Sequence, residues 1–94
     1  MRIIEVQNKA LFGADQVDPN AERPKQFAEG VRALAKSLAG RIANIEFRDR
    51  TTRISVASEK VHKGVIDYFT KHGVKTVEVQ PLDEFFDQVV SENN

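Results

Sequence analysis

His62 and His72 are the residues from which acid–base or metal chemistry would start in this 94-residue sequence, since histidine is the side chain that titrates near neutral pH. Both fall in KVHKGVIDYFTKHG (residues 60–73), a stretch that reads as an amphipathic helix. Ten residues of helix separate them, which leaves the two rings roughly 80° off a common face. They cannot share one metal ion from that helix, and a carboxylate completing a site would have to come from another element. His72, near the helix C-terminus, reads as a favourable partner of the helix dipole. Both histidines are expected on the surface, and no metal site is expected.

Covalent chemistry fares no better. Ser37, Ser55 and Ser58 lack a G-x-S-x-G nucleophile elbow, and Ser58 is better placed to cap the helix that follows it. The five glycines form neither a G-x-G-x-x-G pattern nor a P-loop. Asp15, Asp18 and Glu22 do not have the regular oxygen-ligand spacing of a calcium loop. NKALFGAD, after the first strand, holds no arginine of the kind a phosphate-cradling loop would need. The absence of cysteine excludes disulfides and thiolate metal sites. The chain therefore reads as non-enzymatic, with no cofactor.

A basic cluster supports another kind of chemistry. Arg48, Arg50 and Arg53 crowd one predicted hairpin, with Arg41 before it and Lys60 and Lys63 after it. Phosphate binding to RNA or DNA is the natural alternative function for these residues. Against it stands the charge balance, fourteen Lys and Arg to fourteen Asp and Glu, whereas nucleic-acid-binding domains usually carry a basic excess. Zero net charge also leaves no repulsion to keep copies apart, which favours self-association.

The elements that must position these residues can be read from periodicity. Composition is that of one ordinary globular domain, 40 % apolar and 30 % charged. RIIEVQ (2–7) is a predicted strand, followed by a long connection over residues 8–23 that carries Leu11 and Phe12. From Pro24 a helix sets Phe27, Val31, Leu34 and Leu38 at helical spacing, with Gly40 as its expected stop. Ile45 and Phe47, then Ile54 and Val56, alternate with polar residues on either side of Asp49, Arg50 and Thr51, which predicts a hairpin. Ser58 opens the next helix, packed through Val61, Val65 and Phe69 with Ile66 and Tyr68, and Gly73 closes it. VKTVEVQ supplies a fourth strand. Pro81 then opens a predicted helix over 81–92 with an apolar stripe of Leu82, Phe85, Phe86, Val89 and Val90.

The order strand–helix–strand–strand–helix–strand is that of an α+β, ferredoxin-like βαββαβ split sandwich: a four-stranded antiparallel sheet with two helices on one face, here with an extra C-terminal helix. A short repeat agrees with it, aligning FAEGVRALAKSLAG with VHKGVIDYFTKHG so that Gly30 falls over Gly64. Glycine inside a helix costs about 1 kcal/mol relative to alanine. Two glycines in register are thus expected to mark a close approach of the helix pair, or of helix to sheet.

Alternation predicts the two sides of the sheet. With Ile4, Val6, Ile45, Phe47, Ile54, Val56, Val77 and Val79 facing the helices, the open side carries Ile3, Glu5, Gln7, Asn44, Glu46, Arg48, Arg53, Ser55, Thr76, Glu78 and Gln80. It has no aromatic platform for stacking bases, and Arg48 and Arg53 fall beside Glu46 in a cross-strand charge lattice. The sequence thus favours a protein-binding module, a small regulator, adaptor or inhibitor whose partner is another protein or a second copy in a homodimer. Leu11, Phe12, Phe85 and Phe86 are its candidate contacts. No apolar run approaches the ~20 residues of a membrane span and no secretory signal is evident, so a cytoplasmic location is expected.

Overall fold

The computed structural model describes residues 1–80. The predicted helix over 81–92, with Phe85 and Phe86, lies outside the described residues. Four strands are present: β1 (Arg2–Gln7), β2 (Ile42–Phe47), β3 (Thr51–Val56) and β4 (Thr76–Val79). They form one sheet in the order β2-β3-β1-β4, and each neighbouring pair is antiparallel. Three helices complete the fold: α1 (Asn8–Phe12), α2 (Glu22–Ser37) and α3 (Glu59–Lys71). The described fold is α+β.

Period-two alternation makes the sheet two-sided. Ile4, Val6, Ile54 and Val56 are buried on one face and meet Val31 and Ala35 of α2 and Val61, Val65 and Phe69 of α3. Both long helices therefore cover the same face. Ser58 caps α3 as its position predicts, accepting from the backbone N–H of Val61 at 3.4 Å. Gly73, just past the end of that helix, has φ +73°, a conformation that glycine adopts without a Cβ clash.

The long connection is partly ordered into a helix. α1 occupies its first third, and Gly13 ends it with φ +76° while donating to the carbonyl of Lys9. Asn8, fully buried, fixes the remainder. Its Nδ2 donates to the carbonyls of Asp15 (2.6 Å) and Arg48 (2.7 Å), and its Oδ1 accepts from the Thr52 hydroxyl at 2.6 Å. The backbone N–H of Asn8 donates to the carbonyl of Arg50 and that of Arg50 to the carbonyl of Asp15. These bonds hold Arg50 at φ +73°, a left-handed conformation that costs a non-glycine residue about 1 kcal/mol or more.

The glycine expectations divide. Gly64 does sit at a close approach, because a Cβ there would overlap Leu38 Cδ1 at the C-terminal end of α2. Gly30 does not: nothing lies within 4 Å of the position its Cβ would take. Gly40 is not the stop of α2 either. The chain turns at Ala39, φ +59°, while Gly40 leaves room for Val61 Cγ2.

Candidate protein-contact surface

β4 lies on the sheet the other way round from expectation. Val77 is opposite Glu5 and Val79 opposite Ile3, whereas Thr76 and Glu78 align with Val6 and Ile4. The two valines therefore belong to the open face. Register explains the difference: a shift of one residue exchanges the faces of a strand, and a four-residue edge strand has few side chains to specify its side. β2 also contains an irregularity between Ile42 and Asn44, but Ile45 and Phe47 keep the expected helix-facing side.

The open face consequently carries an apolar corner, Val77, Val79 and Ile3. One row across the sheet reads Glu46, Arg53, Glu5, Val77, and the next reads Asn44, Ser55, Ile3, Val79. Arg53 Nε donates to Glu5 Oε2 at 2.9 Å, with only 17 % and 20 % of the two side chains exposed. Arg48 approaches Glu46 at 3.7 Å. The cross-strand pair Arg53–Glu5 is of a kind that contributes about 0.2–1 kcal/mol. At the β4 edge the charge row gives way to Val77, 58 % exposed and one of three large apolar residues left uncovered among the described residues, with Met1 and Tyr68.

Opposite, on the helix side of the β4 edge, Arg2 donates to Glu78 and Glu59, each at 2.6 Å. The hydrogen bond from Arg2, aided by its charge, holds the Glu78 carboxyl below the ordinary glutamate range, and Glu78 in turn raises the Arg2 guanidinium. His62 is buried in this corner and is not a surface residue. Its Nε2 stands 3.8 Å from Glu78 Oε1 and has no hydrogen-bond partner among the described residues. His72 is exposed, with its ring 4.5 Å from that of Tyr68. Among the described residues no group of three or more His, Cys, Asp or Glu is arranged to hold a metal ion, and no helix is long and apolar enough to cross a membrane.

Of the predicted contact residues, Leu11 and Phe12 lie among the described residues, both in α1. Leu11 packs against the core, and Phe12 meets Phe27 and Phe47 edge to face at 5.5 and 6.1 Å, so both are half-buried. The basic cluster is divided. Arg48 and Arg50 are at the hairpin tip, whereas Lys60 and Lys63 are on α3 beyond the far end of β3. Six residues of strand separate these ends by about 20 Å. Lys60 and Lys63 line an open depression with Leu38, Glu59, Gly64 and Asp67. Between α2 and α3 is a cavity of about 170 Å³ lined by Phe27, Gly30, Leu34, Tyr68 and Phe69, smaller than the ~300 Å³ at which ligand pockets begin. The surface feature that sequence reasoning missed is the apolar edge at Val77 and Val79. Neither protein-family models, nor curated proteins, nor solved structures include a match to this chain.

Proposed function

We propose that this is a non-enzymatic protein-binding module, a small regulator or adaptor, and that it receives its partner on the open sheet face beside β4. The observation that carries the reading is the exposed Val77, continuous with Val79 and Ile3 and bordered by the Glu46–Arg53–Glu5 row. An apolar strip edged by fixed charge is the usual anatomy of a protein contact. The partner it fits is an acidic, amphipathic segment. All fourteen Lys and Arg but only ten of the fourteen Asp and Glu lie in residues 1–80, which leaves this part of the chain with an excess of four positive charges.

The fold reading belongs with this proposal. The order β2-β3-β1-β4, antiparallel throughout with α2 and α3 on one face, supports a ferredoxin-like βαββαβ split sandwich extended by α1. A nucleic-acid partner ranks lower, because the arginines at the hairpin and the lysines on α3 lie far apart.

Capture from the protein's own cell lysate, with and without nuclease, tests the reading with wild type, Val77→Asp and Val77→Thr. A protein retained after nuclease treatment, lost with Val77→Asp and weakened with the β-branched Val77→Thr, is the expected result. Retention unchanged in both variants contradicts the proposed face, and recovery only of nuclease-sensitive material makes the arginine hairpin the site.

A further inference from the structure

We infer that two copies of this chain join edge to edge through β2, antiparallel about a two-fold axis at Ile45, so that their sheets continue as one. β2 ends the strand order β2-β3-β1-β4, and among the described residues no strand lies beyond it. The hairpin shows which groups face that edge. The Arg48 N–H donates to the Thr51 carbonyl at 2.8 Å, which makes 48 and 51 a hydrogen-bonded pair. Bonded and non-bonded pairs alternate along an antiparallel ladder, so Phe47 and Ile45 turn their N–H and C=O groups away from β3.

The strand does little to guard this edge. Natural edges are blunted by lysine, proline or an irregularity. Ile42–Phe47 contains neither residue, and its irregularity between Ile42 and Asn44 leaves residues 44–47 in regular pairing. Ile42, Ile45 and Phe47 are only half-buried, so apolar surface borders the edge on the helix side.

Charge selects the occupant and the register. With Ile45 opposite its own copy, Glu46 falls opposite Asn44, Phe47 opposite Ala43 and Asp49 opposite Arg41, once at each end of the ladder. The large ring meets the smallest side chain of the strand, and opposite charges meet at both ends. Such self-complementarity is what a two-fold interface requires. The neighbouring registers lose it. One sets Glu46 against Glu46, and like charges directly opposite are destabilising. The other sets Arg41 against Phe47 and Asp49 against Ala39. Zero net charge adds no general repulsion between copies.

The partner surface stays clear in this assembly. β4 is at the other edge of each sheet, and the two-fold axis, normal to the sheet, turns both Val77 faces the same way. Seven strand spacings, about 34 Å, separate them. On the proposed partner reading the assembly holds two segments at once, and a partner that repeats its segment gains by avidity. The dimer itself does not rest on that reading.

Charge reversal tests this in the full chain by sedimentation over a concentration series. Wild type is expected to approach twice the 10.6 kDa of one chain as concentration rises. Arg41→Asp alone or Asp49→Arg alone, both at exposed positions, is expected to weaken association about tenfold, and the two combined in one chain to restore it. Mixing Asn44→Cys chains with Glu46→Cys chains is expected to give a mixed disulfide in preference to either self-disulfide, with no native cysteine to compete. A monomer at every concentration up to about 1 mM overturns the inference. A dimer that the double variant fails to restore, or that forms no mixed disulfide, overturns it as well, since the interface then lies elsewhere. Each of these outcomes leaves partner capture through Val77 intact, and loss of capture leaves the dimer standing.

Discussion

Asn8 is the side chain on which the connection after β1 depends. It satisfies two backbone carbonyls and a threonine hydroxyl from a fully buried position, joining residues 15, 48 and 52. Removing a buried partner leaves each of those groups to bear its own desolvation cost, about 1–3 kcal/mol apiece. Asn8→Ala is therefore expected to destabilise the domain by about 2–4 kcal/mol in denaturant titration. A change under about 0.5 kcal/mol, the usual range of a surface substitution, would remove this account of the loop. Nothing in the sequence identifies Asn8, because its partners are backbone groups that come near only after folding. His62 was legible. Residues 62, 65, 66 and 69 stand at i, i+3, i+4 and i+7, so this histidine shares the apolar stripe of α3. A reading by residue type placed it on the surface, whereas its position in the period puts it inside.

At the scale of elements, strong periodicity and caps were informative and short pieces were not. β1, the hairpin strands, α2 and α3 follow the predicted patterns, and Ser58 and Gly73 bound α3 as expected. α1 is too short to register as a helical period. β4 has two valines and two polar residues, and alternation alone fits either side of the sheet. The repeat between α2 and α3 overstated their likeness, since only Gly64 meets the other helix closely. Alanine substitution separates the glycines. Gly30→Ala adds a methyl group in open space within a helix and is expected to stabilise by about 1 kcal/mol. Gly40→Ala forces the buried, β-branched Val61 aside and is expected to cost about 1–3 kcal/mol. Thermal melts of the two variants check this; destabilisation by Gly30→Ala, or neutrality of Gly40→Ala, would refute the packing described for them.

For the whole molecule, the sheet separates two environments. The helix side is filled by aliphatic residues and by a run of rings, Phe12, Phe27, Phe47 and Phe69, whose neighbouring centroids lie 5.5–6.5 Å apart. The open side combines the charge row with an apolar edge at Val77 and Val79. The absence of catalytic motifs and the neutral overall charge were visible in the sequence, and they directed attention to binding. The apolar edge of the open face, on which the proposed contact rests, was hidden by the orientation of one edge strand. A photo-crosslinking amino acid in place of Val77, compared with the same group in place of the equally uncovered Tyr68 on α3, tests the central claim most directly. The account predicts a covalent adduct with the partner protein from position 77 and none from position 68; an adduct from position 68 alone would contradict it.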